Sequence, residues 1–241
     1  MSAWQAVFWG GFSSASLYLG ELLAGPMAHR PKTTGLIMGF GAGTLLSAIA
    51  YELVPESSLT GGLSVAIAFL AGTLTYYVGD WLIDRHGGAD RQEIDAKVDG
   101  SGTAMFLGAL LDGLPEAFIL GITLALGGSI NIAFVAAVFI SNIPQGLAGT
   151  TSLEAAGYMH RHVFWMWTTL VVASSVTAAL GFALADSVPH QGLDAEAFAA
   201  GAVLIMLANS MMPEAFEHGG KSVGLLTVLG YLVAGVLSVL Q

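Results

Sequence analysis

Apolar stretches of about the length that carries a helix across ~30 Å of hydrocarbon recur eight times along the chain. They lie near 3–24, 35–55, 62–84, 102–126, 130–153, 163–185, 196–216 and 222–240. Two polar interruptions are plain: Gly25-Pro26 through Pro31 after the first stretch, and the charged segment 84–100 after the third. The other connections are short, so residues 1–241 are expected to form one domain with a loop at about 85–101. This pattern predicts an all-α fold, an eight-helix transmembrane bundle.

Composition agrees with the pattern. Only 10% of residues are charged and 55% are hydrophobic, with a mean hydropathy of +0.74. A soluble domain carries about 25% charged residues, so this chain cannot coat a water-facing surface. Its 32 glycines suit a bundle whose helices approach closely in lipid. Cysteine is absent, which excludes disulfides and thiolate metal sites. The acidic residues behind the net charge of −10 are spread between loops and helices, so the charge itself points to no partner. The lipid bilayer is the expected environment, and no nucleic acid is expected. The start of the chain has no basic region ahead of its apolar stretch, so that stretch is read as a retained first span rather than a signal peptide.

The seven basic residues set an orientation. Arg30, Lys32, Arg85, Arg91, Lys97, Arg161 and Lys221 all fall in the connections after spans 1, 3, 5 and 7. By the positive-inside rule that face is cytoplasmic, and both termini point outward.

The chain also repeats itself. Phe40–Glu56 reads FGAGTLLSAIAYELVPE and Phe198–Glu214 reads FAAGAVLIMLANSMMPE, matching at Phe, Ala, Gly, Leu, Ala, Pro and Glu without a gap. The two segments cross in opposite directions. An inverted repeat of spans 1–3 and 6–8 is therefore expected, an arrangement that places a transport site near the midplane. Spans 4 and 5 pair in the same way. Leu111 to Ala117 reads LDGLPEA and Ile140 to Gly146 reads ISNIPQG, aligning Asp112 with Ser141, Gly113 with Asn142, Pro115 with Pro144 and Glu116 with Gln145.

Those two motifs carry the candidate chemistry. Asp112 and Glu116 are four residues apart and share a helical face, where each ionised carboxylate costs ~2.5–3.5 kcal/mol at the bilayer centre. A cation, protons or water must offset that charge. Ser141 and Gln145 share a face of span 5, with Asn142 beside Gln145. Pro115 and Pro144 cannot donate to the carbonyls of Leu111 and Ile140, so two proline-broken helices would add free oxygens. Asp112, Glu116, Ser141, Asn142 and Gln145 are the candidate metal ligands. Taken alone, Ser141 and Asn142 are better accounted for by helix kinking and interhelical hydrogen bonding.

The eight spans, outward termini, longer loop after span 3 and paired proline motifs resemble the ZIP family of divalent-metal transporters over essentially the whole chain. That family typically reads His-Asn-x-Pro-Glu-Gly in span 4, with a close relative in span 5, supplying a one- or two-metal centre. Here Asp112 stands in the place of the His, Gly113 in that of the Asn, and Glu116 keeps the Glu. Ser141 occupies a variable position, Asn142 one that is usually Asn or Asp, and Gln145 one that is usually Glu. The resemblance implies a transporter rather than an enzyme, taking a divalent ion such as Zn, Mn or Fe to the cytosol across a prokaryotic inner or plasma membrane. It also allows a homodimer. No histidine falls inside a span, and carboxylate and amide oxygens suit harder ions than zinc, so the retained ligands leave room for one full site without implying zinc selectivity.

Glu52 and Glu56 at the outer end of span 2 and Glu214 at the inner end of span 7 are candidate pathway stations, with interfacial solvation as the plain alternative for the last two. Glu21, Asp80 and Asp84 are read as solvated or ion-paired interface residues. Two rivals are weighed. A relative that keeps the fold without transport would bind no metal. An aspartyl intramembrane protease would use Asp80 and Asp112, but the sequence Val78-Gly79-Asp80 lacks the usual preceding glycine.

Overall fold

In a computed structural model, the described residues are 2–27, 30–54, 62–88, 102–127, 130–185 and 193–240. Helices α1 (Ala3–Met27), α2 (Pro31–Ala48), α3 (Leu63–Ile83), α4 (Gly102–Gly127), α5 (Ile132–Ala155), α6 (His160–Leu184), α7 (Leu193–Met206), α8 (Met212–Gly219) and α9 (Ser222–Val239) follow one another, and no strand occurs among these residues. α7 and α8 run on through a π-helical turn, so the nine segments make eight rods.

Seven of the eight rods are long and apolar enough to cross a membrane. The exception is α1, which has 25 residues but carries Gln5, three serines and Glu21. A multi-pass membrane protein also explains the outer surface. α9 exposes Leu225, Val228, Leu229, Leu232 and Val236, and α3 exposes Ile67, Leu70 and Leu74. In water each such side chain would forgo ~1.5–3 kcal/mol of burial; in hydrocarbon it loses nothing.

Helix ends follow local chemistry. Pro31 opens α2 at a position where its missing N–H is no loss. Asn131 caps α5, its side chain accepting from Phe134 N at 2.8 Å, a contact worth about 1 kcal/mol. Gly220 at φ 65° closes α8.

The helices expected to break at proline do not. α4 runs through Pro115 and α5 through Pro144 without interruption. A bundle tolerates the one missing hydrogen bond at each site, because neighbouring helices hold the rod in place. The irregular backbone lies elsewhere, in π-helical turns at Ile49–Leu53, Asp84–Gly88 and Leu207–Met211. Val54 N bonds to Ile49 O at 2.9 Å, and Met212 N bonds to Leu207 O. Pro213 supplies a physical reason for the last turn. It has no N–H for the carbonyl of Asn209, and the preceding N–H reaches one residue further back.

Small residues set the packing. α2 crosses α9 and α3 crosses α7, while α1 packs on α5 and α6, and α4 on α6. At several of these crossings backbone meets backbone, and α2 on α9 and α3 on α7 serve as examples. A Cβ on Gly43 would lie 2.0 Å from Thr227 O, and one on Gly230 2.1 Å from Phe40 O. A Cβ on Gly72 would lie 1.8 Å from Phe198 O, and one on Gly201 2.1 Å from Phe69 O.

One end of the bundle gathers four of the five described basic residues. The last turns of α1 meet the start of α6 through Glu21 and His160. The first turn of α2 meets the end of α8 at Gly35 and Gly219, and the start of α4 meets Tyr158. Arg30, Lys32, Arg161 and Lys221 sit at these junctions.

Candidate metal site at the bundle centre

Halfway along α4, Asp112 and Glu116 face inward one turn apart, 3% and 1% exposed. Neither carboxyl oxygen of Glu116 receives a hydrogen bond among the described residues. Asp112 accepts a short hydrogen bond from the Tyr76 hydroxyl, which reaches across from α3 and is itself buried.

α5 presents the other half. Asn142 is buried and donates from Nδ2 to the carbonyl of Ser13 on α1 at 3.3 Å, which leaves its Oδ1 to serve a cation. The Gln145 Nε2 is buried without a hydrogen-bond partner among the described residues. Asp112, Gly113, Asn142 and Gln145 line one small cavity, closed by Leu17, Ala109, Trp167 and Leu170. Its ~10 Å³ is room for about one water-sized sphere. Trp167 is pinned by its indole N–H, which donates to Thr150 Oγ1 at 2.9 Å.

The five residues singled out from sequence therefore divide. Asp112, Asn142 and Gln145 share the cavity. Glu116 is one turn away on the same helix, equally buried. Ser141 does not line the cavity. Its hydroxyl donates to Val138 O at 3.0 Å within its own helix, and its backbone backs onto Gly41 of α2.

Of the pathway candidates, Glu52 lies in the π turn that ends α2 and accepts from Asn131 on the cap of α5 and from Ser238 on α9. It joins three elements. Glu214 is 9% exposed, with His218 Nδ1 3.0 Å from its carboxylate. Glu56 lies outside the described residues, as does most of the loop at about 85–101. Asp80 and Glu21, read as interface residues, are buried at 7% and 5% exposure.

Tyr76 was not singled out from sequence. The available signal was a tyrosine in the middle of a span, since a buried hydroxyl needs a partner. Its neighbour Asp80 is one turn on, so a polar face on α3 was there to be read.

A fully buried carboxyl group that receives no hydrogen bond among the described residues, such as that of Glu116, is costly unless a proton or an external positive charge reaches it. Asp112 with the side-chain oxygens of Asn142 and Gln145 on one cavity, and Glu116 one turn away, would offer an ion oxygen donors, which suit hard ions such as Mg or Mn. No protein-family model and no curated protein matches this chain.

Proposed function

We propose that the protein carries divalent metal ions across a membrane toward the cytoplasm, through a midplane site formed by Asp112, Glu116, Asn142 and Gln145. The observation that carries this is Glu116: a fully buried carboxyl group, one turn from a second, with no hydrogen bond to either oxygen among the described residues. Such a group is costly unless a cation or proton visits it.

Two features support the transporter architecture, with α1 as the eighth span. The first is the gathering of Arg30, Lys32, Arg161 and Lys221 at one end, which the positive-inside rule makes cytoplasmic. The second is the repeat. Phe198, Gly201 and Gly230 each follow Phe40, Gly43 and Gly72 by 158 positions (198 against 40, 201 against 43, 230 against 72). The backbone contact of Phe40 O with Gly230 thus has its counterpart in Phe198 O with Gly72. The π turns Ile49–Leu53 and Leu207–Met211 are separated by the same 158 (207 against 49). Equivalent residues making equivalent contacts in helices of opposite direction favour an inverted repeat, whose axis would pass near α4 and α5. The paired-motif resemblance to ZIP transporters points the same way.

The test is metal accumulation in proteoliposomes, comparing the wild type with Glu116→Gln and Glu116→Ala. The first keeps the shape and removes the charge. Both variants are expected to fall to the level of empty liposomes for Mn and Zn. Uptake equal to wild type by folded Glu116→Gln would sink the site assignment.

A further inference from the structure

A second cluster lies between the midplane cavity and the basic end of the bundle. Glu21 on α1 is 5% exposed, and its Oε1 receives no hydrogen bond among the described residues. That oxygen lies 3.6 Å from Nε2 of His160, the first residue of α6. The other ring nitrogen of His160, Nδ1, is 3.1 Å from Glu154 Oε1 at the end of α5. The His160 side chain is 65% exposed, so the cluster opens outward while Glu21 closes its inner wall.

We propose that Glu21 and His160 form a second metal site, an exit station for a divalent cation, with Glu154 orienting the imidazole. Three observations converge on it. Metal-bound histidine usually presents one nitrogen to the ion and bonds the other to a carboxylate, and His160 is held in that way between Glu21 and Glu154. A tetrahedral ion with bonds of ~2.0–2.2 Å to nitrogen and oxygen separates those two atoms by about 3.4 Å, close to the 3.6 Å found. Finally, the cluster is aligned with the central cavity. Glu21 is one turn, about 6 Å, beyond cavity-lining Leu17, and His160 two turns, about 10 Å, before cavity-lining Trp167, each on the same helical face.

Leu17, Met105, Leu153, Val163, Trp167 and Leu170 form one buried apolar cluster, three of whose members, Leu17, Trp167 and Leu170, wall the cavity. An ion leaving the cavity toward this end would meet a carboxylate and an imidazole at its edge. Two protein ligands completed by water hold an ion loosely, which suits a place it must leave. The role as exit rests on the transport proposal; the binding of metal there does not.

Purified full-length protein in nanodiscs, with isotope-labelled histidine, would be titrated with zinc while the imidazole resonances are followed, that of His160 being identified by its loss in His160→Asn. In the wild type the His160 signal is expected to shift with zinc. In Glu154→Gln, which removes the orienting carboxylate, the midpoint should rise about tenfold, and in Glu21→Gln, which removes a ligand, by a larger factor. Glu116→Ala should leave the His160 shift intact while abolishing uptake, so failure of the transport proposal and failure of this one give different results. No zinc-dependent shift of His160 up to millimolar concentration, or the same midpoint in folded Glu21→Gln, would overturn it.

Discussion

At the scale of single residues, the Tyr76 hydroxyl donates to the carboxylate of Asp112, which under the proposed function would hold the ion. A hydrogen bond from outside the ligand set holds a carboxylate in one orientation, and its loss costs metal sites about 10–100-fold in affinity. Tyr76→Phe is therefore expected to raise the metal concentration for half-maximal uptake about tenfold. It should also lower stability by about 1.5–3 kcal/mol if the carboxylate is charged, which thermal unfolding in detergent would show. An unchanged half-saturation would mean that the tyrosine serves packing alone. Asp112, Asn142 and Gln145 were legible in the sequence, because polar groups in an apolar run stand out and helical spacing tells which share a face. Ser141 was legible only as polar; nothing in its spacing told that its hydroxyl would turn to Val138. Tyr76 and His160 were hidden for another reason. Their partners lie 36 and 139 positions away (112 against 76, 160 against 21), and no local pattern states which helices will be neighbours.

Among elements, the helices themselves were written in the apolar runs, and the structure moves most of their ends by only a few residues. Their irregularities were not. Proline marks where a hydrogen bond is missing but not how the backbone responds, and here α4 and α5 absorb the loss while two of the three π turns appear near Pro213 and ahead of Pro55 in sequence. The glycine crossings give a sharp expectation. Gly72→Ala and Gly43→Ala push a methyl group to within 1.8 and 2.0 Å of backbone oxygens on α7 and α9, where nothing flexible can yield. Each should cost about 1–3 kcal/mol or more, the usual range for overpacking. Gly25→Ala, with nothing within 4 Å of the added carbon, should leave the unfolding temperature nearly unchanged. Equal behaviour of the three variants would show that these crossings are not as close as described.

For the molecule as a whole, orientation and proton competition can both be measured. The chain has no cysteine, so single cysteines report position without background. Ser2→Cys is expected to react with a membrane-impermeant maleimide added outside intact cells, and Lys221→Cys only after the membrane is opened. The reverse pattern would turn the protein over and make the proposed direction of transport wrong. Metal binds carboxylates only in their deprotonated form, so protons and metal exclude each other at the central site. Uptake should fall as pH drops and recover as it rises; a flat profile between about pH 5 and 8 would count against a carboxylate site. The π turn before α8 carries a consequence at this scale. One residue more or less in a helix swings everything beyond it by about 100°, so the wide turn at Leu207–Met211 works as an index setting where Glu214 and His218 aim. Excising Ala208 would regularise the coil and carry both side chains around the cylinder away from their present bearing, with the residues of the central cavity untouched.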